Sequence, residues 1–232
     1  MLPKVIIIAG PTASGKTALS LKLAKKFNGE IVSTDSRQIY REMDIGTAKA
    51  SKKELKSVPH HLISIKNPNQ DYTLAQFKTD AVAAIKKITL KNKISIIVGG
   101  TGLYLNALIN NLEIPEVRPN LKLRKKLEKQ ADKYGIKRLY HELIKLDPKA
   151  ANIIDPKNPR RIIRAMEITL GTGKPFSSQR KSGPKLFDFL VLGVALPKNE
   201  LVRKINKRAD QMFKTGLMRE VKKLIKKYGK KT

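Results

Sequence analysis

The chain has 232 residues, with 49 Lys and Arg against 19 Asp and Glu, a formal net charge of +30 and no cysteine. That length buries one substantial core with room for a smaller inserted domain. The missing thiols exclude disulfides and thiolate metal sites, and three histidines leave little for a His-based metal centre.

No stretch approaches the roughly 18 uninterrupted apolar residues of a membrane-spanning helix, so no membrane partner is expected. The apolar start at residues 5–9 is too short for the core of a signal peptide, and a cytoplasmic location is expected. The positive charge exceeds what solubility requires and points to a polyanionic partner, nucleic acid first. Lysines on solvated helix faces explain the same count, and on charge alone the two readings stand about level. Aromatic residues make up only 5% of the chain, which argues against an extended base-stacking platform and makes any base recognition local.

In chain order, Val5-Ile6-Ile7-Ile8 is a β-branched run suited to a buried strand. Gly10-Pro11-Thr12-Ala13-Ser14-Gly15-Lys16-Thr17 follows it and fits the phosphate-loop pattern G-x-x-x-x-G-K-[ST] at every fixed position. Ala18, Leu19, Leu21, Leu23 and Ala24 then predict a helix, which completes the strand–loop–helix context. Glycines at 10 and 15 let backbone N–H groups turn inward, and with the helix dipole they form an anion cradle. Lys16 brings a positive charge to the terminal phosphates, and the Thr17 hydroxyl is the expected ligand of a Mg²⁺ bridging phosphate oxygens. The competing reading, a Gly/Ser-rich turn that binds nothing, is weakened by the flanking strand and helix.

Glu30-Ile31-Val32-Ser33 predicts a second buried strand that delivers Thr34-Asp35-Ser36-Arg37-Gln38 to the carboxyl edge of the sheet, where ligands gather in α/β folds. Asp35 is therefore a candidate catalytic group, although an Asp there serves equally as a turn residue or helix cap. Residues 40–68 are irregular and predict loops around the site with short helical pieces. His60 and His61 within them are expected to be hydrogen-bonded, not metal-binding, since no third ligand stands at a useful spacing. Leu74, Phe77, Ala81, Ile85 and Ile88 recur at helical spacing and predict an amphipathic crossover helix.

Ser95-Ile96-Ile97-Val98 is the next strand, ending in Gly99-Gly100-Thr101-Gly102 before a helix over 103–109. Phosphoryl-transferring enzymes usually place a Mg²⁺-binding Asp at this point, and its absence counts against an ordinary ATPase or kinase. The glycines admit close approach of a substrate, with the Thr101 hydroxyl beside it.

Residues 113–185 show no strand pattern. Helical spacing recurs over 121–131, 139–146 and 160–170, with Pro148 and Pro159 as punctuation. Arg160 and Arg164 fall on one helix face and can grip phosphates, or simply face solvent. A strand over 189–195 is expected to rejoin the parallel sheet. Asn199 is the expected cap of a helix that points Leu201, Ile205, Met212 and Phe213 inward and Arg203, Lys204, Lys207 and Arg208 outward. A last amphipathic helix over 220–228 has little to pack against and stops in Gly229-Lys230-Lys231-Thr232. These elements predict an α/β fold: a P-loop NTPase-like parallel sheet flanked by helices. Residues 1–112 form the first part of its core, 113–185 an inserted all-helical domain, and 186–232 the return to the core with the C-terminal helices.

Five ordered motifs carry a family resemblance. They are residues 10–17, Asp35-Ser36-Arg37-Gln38-Ile39-Tyr40, Met43-Asp44-Ile45-Gly46-Thr47-Ala48-Lys49, Pro59-His60-His61-Leu62 and Val98-Gly99-Gly100-Thr101-Gly102-Leu103-Tyr104. Together with Arg160-Arg161-Ile162-Ile163-Arg164-Ala165-Met166-Glu167, Thr172-Gly173-Lys174-Pro175 and the stretch 208–220, they resemble the tRNA dimethylallyltransferase family over nearly the whole chain. The resemblance implies transfer of a dimethylallyl group from dimethylallyl diphosphate to N6 of the adenosine beside the anticodon, position 37, of tRNA. It implies that residues 12–17 hold the diphosphate and Mg²⁺, that Asp35 accepts the N6 proton, and that Asp35, Ser36, Arg37 and Gln38 contact the target nucleotide. It also implies tRNA contacts from Thr101, Arg124, Arg160, Arg161, Ile162, Ile163 and Arg164 to the anticodon stem-loop, by a monomer.

A diphosphate leaving group needs the same cradle as a nucleotide phosphate, and the weakly nucleophilic adenine amine needs a carboxylate within reach. Two departures stand out. Relatives commonly carry His-Pro-Asn-Asp-Pro where this chain has Asp155-Pro156-Lys157-Asn158-Pro159, and they continue well past Thr232, which implies a C-terminally truncated member. The other readings are an adenylate isopentenyltransferase, a P-loop small-molecule kinase, and a truncated relative that binds tRNA with little activity.

Overall fold

The computed structural model describes residues 1–114 and 120–229. Its described residues divide into two compact units, one made of Met1–Asn111 with Pro184–Thr232 and the other of Leu112–Gly183.

The first unit is built on a five-stranded sheet in the order β3-β2-β4-β1-β5, with every neighbouring pair parallel. The strands are β1 (Lys4–Ala9), β2 (Gly29–Ser33), β3 (His60–His61), β4 (Ile94–Val98) and β5 (Asp188–Gly193). Parallel strands are covered on both faces, which is why β1 and β4 are nearly continuous apolar runs and every residue of β2, Glu30 and Ser33 included, is buried.

The alternation of side chains along β1 divides them between two cores. Val5 and Ile7 join Val32, Ile97 and the buried residues of α3 (Leu74–Leu90) and α4 (Gly102–Ile109), among them Phe77, Ile85, Ile88, Tyr104 and Leu108. Ile8 points the other way, to Ile31, Ile96, Val58 and Ala24 of α1 (Lys16–Lys26). The Phe77 and Tyr104 rings stack at 3.9 Å between centroids, and α3 starts in a capping box between Thr73 and Gln76. Removing the fully buried Phe77 ring would cost about 3–5 kcal/mol.

Among its described residues the second unit is helical: α5 (Leu121–Tyr134), α6 (Ile136–Leu146) and α7 (Pro159–Thr172), with 3-10 turns at Pro148–Asn152 and Phe176–Gln179. Leu127, Leu139, Leu143, Ala150, Ile162, Ala165 and Met166 form its core. Asn158 caps α7 by accepting the Arg161 N–H, and Pro159 occupies the first turn, where no N–H is needed. The buried Asp147 carboxylate ties the turns together, accepting the Ser177 N–H at 2.7 Å and its hydroxyl at 2.6 Å.

Three expectations are corrected. The short α2 (Lys52–Ser57) agrees with the helical pieces expected in 40–68, but His60 and His61 form an edge strand beside β2. Glu30 draws them there: its buried carboxylate pairs with the His61 ring at 2.8 Å. Second, α8 (Lys198–Thr215) starts one residue before Asn199, after Pro197, so Asn199 lies inside the first turn. Ile205 and Phe213 are exposed, while Lys204 and Arg208 are half-buried, because the flank of α8 that faces the unit borders an open groove and not a packed core. Third, α9 (Leu217–Tyr228) has something to pack against: Leu224 is buried, and side chains of α9 bond to the segment 42–46. Residues 230–232 lie outside the described residues.

Candidate active site

The loop between β1 and α1 sits at the carboxyl edge of the sheet. Gly15 takes φ 95° just before α1, in a left-handed conformation that disfavours a side chain although space for one exists. This turn brings Lys16 back over its own loop, where Nζ donates to the Pro11 carbonyl at 2.5 Å. Burial and the neighbouring Arg208 guanidinium push the Lys16 ammonium below its ordinary range, and Asp35 pulls it back up. The Ser14 hydroxyl is buried and has no hydrogen-bond partner among the described residues. A buried hydroxyl without a partner, a lysine resting on its own loop and the start of a helix together fit an anion.

The end of β2 forms the opposite wall. Gly99 has no side chain because a Cβ there would lie 2.3 Å from Thr34 Oγ1, so this glycine lets two strand ends approach, and it also lines the cavity beside them. At Gly100 and Gly102 a Cβ would meet nothing within 4 Å. The two readings of Asp35 prove compatible. Oδ1 accepts the Arg37 N–H at 2.8 Å and that of Gln38 at 3.4 Å, an Asx turn, while Oδ2 accepts no hydrogen bond from the described residues. Ser36 donates its N–H to Thr101 Oγ1 at 3.1 Å. The Gln38 side-chain amide donates to the carbonyls of Thr47 and Ala48.

Thr12, Lys16, Thr17, Asp35, Gln38 and Gly100 line one cavity of about 90 Å³, whose remaining walls include Ile31, Ala48, Ala50, Ile63 and Val98. The structure thus brings the loop and Asp35 to one place. His60 also borders it, with Nδ1 paired to the Val58 carbonyl at 2.7 Å, and burial lowers its basicity. Among the described residues no group of three or more His, Cys, Asp or Glu side chains can hold a metal ion. A divalent cation would therefore depend on the Thr17 hydroxyl and on oxygens of its ligand.

Arg208 is the residue that sequence reasoning misses. It lines the same cavity and, with Lys204, Lys207, Gln211, Met212 and Thr215, one side of an open groove of about 1100 Å³ whose other walls are residues 13–17 and 44–52. Its signal is present in the sequence: Lys204, Arg208 and Met212 repeat every four residues on a helix that leaves the carboxyl edge of the sheet.

In the helical unit Arg160 and Arg161 are exposed. Arg124 and Arg164 are each 2.8 Å from Glu167, whose fully buried carboxylate also accepts the Asn120 N–H at 2.6 Å. Burial alone would raise the Glu167 pKa, but bonds from Arg124, Arg164 and Asn120 bring it below its ordinary value. The Ile162 and Ile163 side chains are buried in the core of this unit, where α7 packs on α5 and α6, so contact with RNA at these positions is left to the backbone.

A parallel sheet with this loop at its carboxyl edge and a carboxylate oxygen opposite, open to the same cavity, defines a P-loop NTPase-like fold. The IPP transferase family model matches residues 38–232. A tRNA dimethylallyltransferase of Herpetosiphon aurantiacus is 48% identical over 228 residues, covering 98% of this chain and 72% of the relative. The crystal structure of the tRNA isopentenylpyrophosphate transferase of Bacillus halodurans has a TM-score of 0.67 at 42% identity, over 98% of this chain and 71% of the other. A eukaryotic dimethylallyltransferase acting on tRNA gives a TM-score of 0.79 at 34% identity, over 99% and 57%. The chain belongs to the IPP transferase family.

Proposed function

We propose that the protein transfers the dimethylallyl group of dimethylallyl diphosphate to N6 of the adenosine at position 37 of tRNA and releases diphosphate. The observation that carries this reading is the shared cavity, where the phosphate-loop residues Lys16 and Thr17 and the open Oδ2 of Asp35 line one space. In the transfer the allylic C–O bond breaks, its electron pair leaves with diphosphate, and a C–N bond forms at N6. Lys16, Arg208, the Ser14 hydroxyl and the loop N–H groups meet the charge that builds on the leaving group. Asp35 takes the N6 proton at Oδ2 while the Arg37 and Gln38 N–H groups hold Oδ1 in place. The Thr17 hydroxyl would hold a Mg²⁺, which would neutralise part of the same charge.

The adenine must leave its stack to reach the cavity, which suits a donor pocket at a sheet edge, and the basic residues Arg160 and Arg161 suit the RNA backbone. Competition between an unmodified tRNA transcript and AMP for labelled dimethylallyl diphosphate tests the acceptor. Label in the tRNA at equimolar AMP supports this reading. Label in AMP would make the protein an adenylate isopentenyltransferase.

A further inference from the structure

Glu220 stands on the outer helix α9, yet its carboxylate accepts three backbone N–H groups of one loop: Asp44 at 2.9 Å and Ile45 at 2.8 Å on one oxygen, Gly46 at 3.0 Å on the other. A second latch runs in the opposite sense. Glu42 of the same segment takes the Tyr228 hydroxyl at 2.8 Å and the Lys223 ammonium at 3.1 Å, and pairs with Lys227. The two carboxylates thus join α9 to residues 42–46 from both sides.

What this loop does follows from its own bonds. Residues 44–52 wall the groove that faces the phosphate loop. The Thr47 and Ala48 carbonyls are held by the Gln38 side chain, and the Gln38 N–H reaches Asp35 Oδ1. Glu220 thus stands at the start of a hydrogen-bonded series that ends at the carboxylate facing the cavity. The helix leading into α9 through Gly216 is α8, which carries Arg208 to the opposite side of that groove. One carboxylate therefore fixes the spacing between the loop wall and the arginine.

We infer that Glu220 is a positioning residue for the diphosphate site, clamping the 44–50 loop to the α8–α9 hairpin so that Arg208 and the loop wall close on the phosphate loop together. This rests on the transfer reading for its substrate but not for its test. A carboxylate that accepts three N–H groups with well-placed oxygens is stronger than three neutral acceptors, so its loss frees the loop. Gln keeps one carbonyl acceptor and so preserves the bonds to Asp44 and Ile45 at the expense of the one to Gly46, or the reverse.

The experiment uses the full chain with Glu220→Ala, Glu220→Gln and Glu42→Gln. Affinity for inorganic diphosphate with Mg²⁺ is measured by calorimetry, alongside KM for dimethylallyl diphosphate, tRNA affinity and the melting temperature. Glu220→Ala is expected to weaken diphosphate binding and raise the donor KM by about tenfold, with Glu220→Gln between it and the parent and tRNA affinity within about twofold. Glu42→Gln is expected to act in the same direction, more weakly. Unchanged diphosphate affinity and donor KM in Glu220→Ala would overturn the inference. So would a parallel fall of diphosphate affinity, tRNA affinity and melting temperature, which marks a purely structural residue. A parent protein that binds diphosphate but transfers nothing would count against the proposed reaction alone.

Discussion

The Thr101 hydroxyl oxygen accepts the backbone N–H of Ser36 at 3.1 Å, joining the residue after Asp35 to the glycine-rich end of β4 across 65 positions of sequence. The family resemblance sets Thr101 against RNA; in the structure it braces the turn holding Asp35, with the hydroxyl hydrogen left to donate. Thr101→Val removes the acceptor with little change in shape, whereas Thr101→Ser keeps it. Rate measurements under saturating donor should show kcat falling about tenfold for Val and by less than about threefold for Ser. Equal losses in both would mean that packing, not the bond, matters at this position.

Asp35 and Lys16 divide the work differently. Asp35→Asn keeps the Asx turn, since an amide oxygen still accepts from Arg37, but loses the proton acceptor. Single-turnover rates should drop by about 10²–10⁴, with donor and tRNA affinities nearly unchanged. Lys16→Ala should instead abolish transfer and weaken diphosphate binding while leaving tRNA affinity intact. Comparing the two variants by calorimetry and filter binding separates the roles.

Glu30 gives the fold a pH dependence. Burial alone would raise its pKa, but hydrogen bonds from His61, Lys91 and Lys93 hold it at about 2 against an ordinary 4.5. Because the folded-state value is depressed, the stabilisation is complete above about pH 4.5 and is lost as the pH falls through about 2. The shift corresponds to roughly 3 kcal/mol. Denaturant unfolding at pH 6 and pH 3 should therefore show the stability gap between the parent and Glu30→Gln narrowing on acidification. A gap independent of pH would show that the carboxylate's charge contributes nothing.

Glu167 holds Arg124 and Arg164 from inside the helical unit. Truncation to Ala removes a buried carboxylate shared by two arginines and leaves the Asn120 N–H without its acceptor, at a cost of about 1–3 kcal/mol. Salt-dependent tRNA binding gives the second readout: charge reversal of the exposed Arg160 and Arg161 should reduce the slope of log K against log salt, by about 0.7 for each phosphate no longer neutralised. A slope unchanged in Arg160→Glu would place the RNA surface elsewhere.

The sheet and the phosphate loop are legible in the sequence because their determinants are local: β-branched runs mark β1, β2 and β4, and fixed glycines with Lys16 and Thr17 mark the turn. Asp35 is legible for the same reason, by its place at the end of β2. The rest depends on partners distant in sequence. Glu30 reads as an ordinary strand residue until Lys91, Lys93 and His61 converge on it, and Glu220 reads as a solvated helix residue until the 44–46 backbone meets it. Apolar periodicity turns Arg208 outward because it assumes that the inner face of a helix packs on a core, whereas α8 borders an open groove where a long basic side chain can reach in. Ile162 and Ile163 sit between arginines in the sequence, and only the packing of α7 shows that their side chains serve the core.

The most direct measurement is single-turnover transfer from labelled dimethylallyl diphosphate, with Mg²⁺, to an unmodified tRNA transcript carrying adenosine at position 37 and to a counterpart carrying guanosine there. Label confined to position 37 of the first transcript, and lost with Asp35→Asn, is the predicted result. No label in tRNA that is nonetheless bound, or equal label in both transcripts, would contradict the proposed reaction.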